Sequence, residues 1–98
     1  MFVHSVFFWL KDEITLPQKM TFRAGLESLR MCDSVRALYV GVPASTNRPV
    51  VDRSYTFALT VVFDDLEGHD AYQVHPMHKK FVDDFSPYWQ RVLIYDAC

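Results

Sequence analysis

Runs rich in β-branched and aromatic residues recur along the chain and predict four strands. Residues 2–10 are β-branched and aromatic with neither Gly nor Pro, which predicts a first strand. Residues 35–42 have the same character and stop at Pro43, and residues 54–63 give the strongest strand pattern. Residues 92–95 predict a last strand.

The segments between these strands have helical spacing. Phe22, Leu26 and Leu29 lie at i, i+4 and i+7 and predict a helix that ends near Met31. Its start is indicated by Thr15 with Gln18 three residues later, which is a capping-box pattern.

A second helical region precedes the last strand. Asp64 and Glu67 predict a helix capped by Asp64 that runs to about His75. Pro76 then starts a second short helix, because Pro is well placed at a first helical position, and Ser86 followed by Pro87 ends it.

The predicted order β-α-β-β-α-β is that of the ferredoxin-like α+β fold. In this fold one four-stranded antiparallel sheet carries its helices on one face, and the first and third strands are central. A chain of 98 residues fits one such domain, spanning residues 1–98.

Both faces of the first strand are mostly apolar, although helices cover only one face of the sheet. Phe2, His4, Val6, Phe8 and Leu10 form one face. Val3, Ser5, Phe7 and Trp9 form the other. Burying a large apolar side chain is worth roughly 1.5–3 kcal/mol, so several per subunit can offset an association cost of roughly 4–15 kcal/mol. We therefore expect a homodimer in which two sheets pack face to face, forming a dimeric α/β barrel.

Composition restricts the classes of partner. The formal net charge is −2 and there is no basic run, so we expect no nucleic-acid partner. The apolar runs are too short to span a membrane, and residues 1–10 lack the pattern of a signal peptide. Cys32 and Cys98 do not make a disulfide framework, which indicates a reduced, cytoplasmic protein.

One short segment concentrates residues capable of acid–base chemistry. Tyr72, His75 and His78 fall within seven residues, and Pro76 kinks the chain between them. A histidine exchanges protons near neutral pH, and a tyrosine can donate a hydrogen bond to a carbonyl. His4 could face the same space from the first strand. The alternative is structural: His75 caps a helix junction, Tyr72 packs in the core and His78 lies on the surface.

Metal and cofactor sites are not indicated. His75 and His78 at i, i+3 could both ligate a metal, but no convincing third ligand accompanies them. Cys32 has no histidine nearby in sequence to activate it as a nucleophile. We therefore expect no metal and no cofactor.

Four segments resemble the stress-responsive dimeric A/B barrel family: the opening strand, Ser54–Phe57, the Tyr72–His78 segment with its His-Pro-x-His pattern, and the closing strand. The resemblance covers nearly the whole chain and implies ferredoxin-like homodimers that form a barrel. Within this family a plant polyketide cyclase closes its substrate by aldol condensation without a cofactor.

The resemblance to that cyclase also implies roles for individual residues. Its catalytic pair falls on His78 and Tyr72. Its pocket residues match His4, His75 and Trp89. At two other pocket positions this chain differs from the cyclase: Phe57 replaces a histidine and Leu26 replaces a tyrosine. Three functions stay open. The first is a dimeric domain that binds a small apolar or aromatic molecule. The second is a cofactor-free cyclase or lyase with His78 as base and Tyr72 as hydrogen-bond donor. The third is a non-catalytic dimerisation module.

Overall fold

The computed structural model describes all 98 residues and confirms the predicted order of elements. The strands are β1 (Phe2–Leu10), β2 (Ala37–Gly41), β3 (Phe57–Phe63) and β4 (Trp89–Ala97). The helices are α1 (Leu16–Ser28), α2 (Leu66–Gln73) and α3 (Pro76–Phe85), with single 3₁₀ turns at Leu29–Met31 and Ser86–Tyr88.

The four strands form one antiparallel sheet in the order β2-β3-β1-β4, so the predicted central positions of the first and third strands are confirmed. The register places His4 of β1 between Val61 of β3 and Asp96 of β4. Neighbouring strands carry directly opposed side chains on the same face. His4 and Asp96 therefore meet on the helix-covered side although 92 residues separate them in sequence.

The predicted capping box at the start of α1 is present. The backbone N–H of Thr15 donates to Gln18 Oε1 at 2.8 Å, and the backbone N–H of Gln18 donates to Thr15 Oγ1 at 3.3 Å. For α2 the prediction of Asp64 as the cap is wrong by one residue. Asp65 is the N-cap, and its Oδ1 accepts the backbone N–H of Gly68 at 2.9 Å. Asp64 instead pairs with an exposed arginine, Arg36.

The core lies between the sheet and the helices and is built largely from aromatic rings. Phe22 of α1 is completely buried at its centre. Its ring contacts those of Phe8, Phe57, Phe81 and Trp89, with centroid separations of 5.2 to 6.3 Å. This cluster joins α1 and α3 to three of the four strands.

The third strand begins at Phe57 and not at Ser54, which corrects the predicted start. Tyr55 therefore does not continue the alternation of Phe57 and Leu59. Its ring packs against Phe7 on the opposite face, with the centroids 5.1 Å apart.

The face of the sheet that carries no helix remains open in the single chain. Val3, Phe7 and Trp9 are half-buried there, and the guanidinium of Arg91 lies 4.2 Å from the centre of a Trp9 ring. A shallow cavity of about 200 Å³ lies on this face. Its lining residues are Phe7, Trp9, Asp52, Tyr55, Leu93 and Tyr95. None of the helices has the length and apolar content that crossing a bilayer requires.

Candidate active site

A second cavity, of about 140 Å³, lies between the sheet and the helical layer. Most of the residues that line it are apolar, and most of the lining residues belong to β1, α3 and β4. Four polar residues interrupt this lining: His4, Tyr72, Gln73 and His78. A largely apolar cavity with a few convergent polar groups is typical of a small-molecule site.

Tyr72 and His78 approach each other because α2 ends at Gln73 and α3 restarts at Pro76. Their ring centroids are 4.7 Å apart at 60° to one another. The Tyr72 side chain is almost fully buried, yet its hydroxyl has no hydrogen-bond partner within the protein and is not sealed from solvent. That hydroxyl is therefore free to donate to a molecule in the cavity.

Burial shifts the pKa of each of these two residues in the direction that favours its uncharged form. Desolvation raises the pKa of the Tyr72 hydroxyl well above its usual value, so the group keeps its proton at neutral pH. Desolvation lowers the pKa of His78, repulsion between two protonated rings at His78 and His4 lowers it further, and a hydrogen bond to the backbone of Gln73 opposes both. At neutral pH His78 is an uncharged imidazole with a lone pair, which general-base chemistry requires.

His4 supplies a third polar group on the floor of the cavity. It is 3% exposed, and its Nδ1 lies 2.5 Å from Asp96 Oδ1. Nε2 makes no hydrogen bond within the protein and is not sealed from solvent, which leaves it directed to the cavity that His4 lines. Burial lowers the pKa of His4 more than the hydrogen bond and charge of Asp96 raise it. Asp96 thus fixes the Nδ1–H tautomer of a neutral ring.

The sequence pattern of the Stress responsive A/B Barrel Domain matches residues 2–98. The chain belongs to this family.

Among curated proteins, this A/B barrel chain is similar to olivetolic acid cyclase of Cannabis sativa, with 28% identity over 94 residues that cover 95% of this chain and 91% of the relative. Two solved structures share its fold at lower identity. A dimeric ferredoxin-like protein of unknown function from Thermobifida fusca has a TM-score of 0.81 at 20% identity, covering 99% of this chain and 89% of that one. Hydroxynitrile lyase from Passiflora edulis has a TM-score of 0.82 at 18% identity, covering 98% and 90%.

The A/B barrel fold brings only part of the predicted set of site residues together. His4, Tyr72, His78 and Trp89 all line the cavity. His75 does not. Its Nδ1 accepts the backbone N–H of Met77 at 3.1 Å, so the residue caps α3, as in the structural alternative.

Phe57 and Leu26 also lie outside the lining of this cavity. Both are buried in the hydrophobic core, where Phe57 stacks on Phe22. The two departures from the cyclase pattern therefore lie in the core and not in the lining of the cavity.

Two residues beside the A/B barrel cavity were not indicated by the sequence patterns. Asp96 orients His4, and His69 of α2 lies over both, with Nε2 3.9 Å from Asp96 Oδ2. The histidine rings are 5.2 Å apart. The contact between His4 and Asp96 follows from the β1–β4 register, so a correct register would have found it. His69 stands alone in a polar helical segment and carries no such signal.

Proposed function

We propose that this A/B barrel protein is a homodimer that binds a small apolar or aromatic carbonyl compound and catalyses aldol-type carbon–carbon chemistry without a cofactor. The observation that supports the chemistry is the convergence of three groups with complementary roles on one apolar cavity. Tyr72 is a hydrogen-bond donor, His78 is a neutral base, and His4 is a second imidazole oriented by Asp96.

The steps follow from these roles. A nitrogen of His78 removes a proton from the carbon next to a carbonyl, and the hydroxyl of Tyr72 donates a hydrogen bond to the oxygen that becomes an enolate. The enolate carbon then attacks a second carbonyl carbon and forms the new bond. The proton held by His78 passes to the resulting alkoxide, which leaves the enzyme unchanged.

The similarities agree with this class of chemistry. One relative is named a cyclase and one structural neighbour a lyase, and both match nearly the whole chain. The proposed chemistry is assigned to Tyr72 and His78. Because Phe57 and Leu26 depart from the cyclase pattern, the proposal names a reaction class and no particular substrate.

The volume of the cavity indicates the size of the group that it can enclose. An apolar protein cavity of roughly 150 Å³ accommodates a benzene ring, and this one measures about 140 Å³. We therefore infer a ligand with one aromatic ring or an aliphatic chain of similar bulk, with its carbonyl placed between Tyr72 and His78.

Exchange of a carbon-bound proton tests the first step without knowledge of the natural substrate. Acetophenone in deuterated buffer should lose its methyl proton signal in the NMR spectrum faster with the protein than without it. His78→Gln should slow the catalysed exchange by about 10²-fold or more, and Tyr72→Phe should slow it to a smaller extent. Lys80→Gln, an exposed change on the same helix, is the matched control.

Two outcomes would reject the proposed chemistry. One is saturable binding of the ketone without catalysed exchange, which would leave a non-catalytic binding protein. The other is catalysed exchange that His78→Gln does not reduce, which would exclude His78 as the base.

The homodimer is supported by the open sheet face, where Phe7 and Trp9 border an apolar depression, and by the dimeric state of the Thermobifida fusca neighbour. Light scattering should give twice the chain mass of 11.5 kDa. Phe7→Asp should produce a monomer, whereas the same change at Met20, which is 66% exposed on α1, should leave a dimer. A wild-type monomer at micromolar concentration would contradict the proposal.

A further inference from the structure

His4, His69 and Asp96 form a cluster of metal-binding side chains beside the cavity, although they come from three separate elements. One ligand atom from each lies within 4.8 Å of the other two. Two imidazoles and one carboxylate make up a common set of ligands for zinc and related divalent ions.

The spacing of these atoms suits one bound ion. Zinc holds nitrogen and oxygen ligands at about 2.0–2.2 Å in tetrahedral geometry, which separates neighbouring ligand atoms by about 3.4 Å. One carboxylate oxygen of Asp96, Oδ1, lies 2.5 Å from His4 Nδ1, which is closer than this separation. The other, Oδ2, lies 3.9 Å from His69 Nε2, which is farther. Rotation of the carboxylate would bring both distances close to this separation.

The neighbours of His69 provide a second and independent observation. Asp70 Oδ1 lies 3.0 Å from His69 Nδ1, where a carboxylate accepts the ring proton. The side-chain amide of Gln73 lies 3.4 Å from Nε2 and is placed to donate to it. Both contacts favour the tautomer with its lone pair on Nε2, which is the nitrogen nearest Asp96. A carboxylate on the far nitrogen of a ligating histidine is the usual arrangement at zinc sites.

We propose that His4 Nδ1, His69 Nε2 and the carboxylate of Asp96 bind a divalent transition-metal ion of the zinc type. Three protein ligands leave the fourth position of a tetrahedral ion for water. The Asp96 side chain is 37% exposed and the His69 side chain 14%, so this position opens to solvent. The ion would lie behind His4, on the side away from the cavity.

Metal binding would change what His4 presents to the cavity. Occupation of Nδ1 by the ion leaves the ring proton on Nε2, the nitrogen directed to the cavity. His4 would then be a hydrogen-bond donor there and no longer an acceptor. This consequence rests on the proposed function, whereas the metal site does not.

Titration of chelator-treated protein with Zn²⁺ against a chromophoric chelator tests the site directly. We expect one ion per protomer, and a ligand-field absorption spectrum of Co²⁺ typical of four-coordinate nitrogen and oxygen ligands. The ring of His69 packs on that of Phe2, with the centroids 4.7 Å apart. His69→Leu removes one ligand while keeping apolar bulk at this contact, and it should abolish competitive binding. Asp70→Asn perturbs only the outer partner and should weaken binding about 10–100-fold.

His75→Asn is the matched control, since His75 caps α3 outside the cluster and should leave the affinity unchanged. Circular dichroism of each variant without metal establishes that it is folded. Absence of saturable Zn²⁺ binding at micromolar concentration would overturn the proposal. So would binding that survives His69→Leu or that is lost in His75→Asn. Because Tyr72 and His78 are unchanged in all these variants, ketone exchange in chelator reports separately on the proposed function.

Discussion

Acidification should destabilise the fold through the two histidines that line the cavity. The folded pKa of His4 and that of His78 both lie below the ordinary value of 6.5, mainly because burial disfavours the charged ring. The unfolded chain therefore binds more protons than the folded one once the pH drops below about 6.5. The contribution of the two histidines to the free energy of unfolding is fully present above that pH and is lost as the pH falls towards the folded pKa values.

The magnitude follows from proton linkage. Each group that is protonated only in the unfolded chain contributes a slope of about 1.4 kcal/mol per pH unit. Two such groups give at most about 2.7 kcal/mol per pH unit. His4 should contribute most, since its side chain is only 4% exposed, while the half-buried His78 should contribute less because solvent screens its charge. Asp52, whose pKa is lowered from 3.8 by hydrogen bonds to Ser54, titrates below this window.

Urea unfolding at several pH values between about 7.5 and 5 measures this slope. Tryptophan fluorescence reports the transition, and the protein concentration must be constant because dimerisation contributes to stability. His78→Gln should reduce the slope, and His75→Gln, outside the cavity, should not. A free energy of unfolding that stays constant from pH 7 to 5 would refute burial as the cause of the two shifts.

Three further predictions concern packing, capping and thiol access. Gly25→Ala should destabilise the protein by about 1–2 kcal/mol despite the better helix propensity of alanine, because the new Cβ would lie 2.6 Å from the Phe85 ring. In urea unfolding, Gly25→Ala should cost much less stability when Phe85→Leu is also present. An equal loss with and without Phe85→Leu would contradict the clash. Asp65→Ala should cost about 1 kcal/mol in the same assay through loss of the cap, and an unchanged midpoint would show that the cap contributes nothing. Ellman's reagent should modify the exposed Cys98 at once and the buried Cys32, whose pKa burial raises, only on unfolding; rapid modification of both thiols would show that Cys32 is accessible.

The sequence was sufficient for the fold because its signals are local. The β-branched and aromatic run of residues 2–10 and the capping box at Thr15 are signals that lie within a few positions, and both the strand and the cap are found as predicted. The errors arise where two local solutions compete. Asp64 and Asp65 are chemically equivalent caps, and only the backbone geometry, with extended φ and ψ at Asp65, selects the second.

The candidate site was only partly predictable for the opposite reason. Tyr72 and His78 are close in sequence, and their convergence follows from the proline between them. Asp96 and His69 meet His4 only through the sheet register and the packing of α2, at sequence separations that no short pattern spans. His75 shows the converse, since proximity in sequence to Tyr72 and His78 did not bring it to the cavity.

The alternation of side chains along β1 places the proposed dimer interface and the proposed catalytic residues on opposite faces of the sheet. Successive residues point to opposite faces of the sheet, so Phe7 and Trp9 border the open face while His4 lies under the helices. A shift of one residue in the pairing of β1 would exchange the two sets, placing an imidazole in the proposed dimer interface and phenyl and indole rings in the cavity. The register of β1 therefore determines which side chains face the proposed interface and which face the cavity. Phe7→Asp should remove the dimer without moving His4, because the side chain it alters lies on the other face.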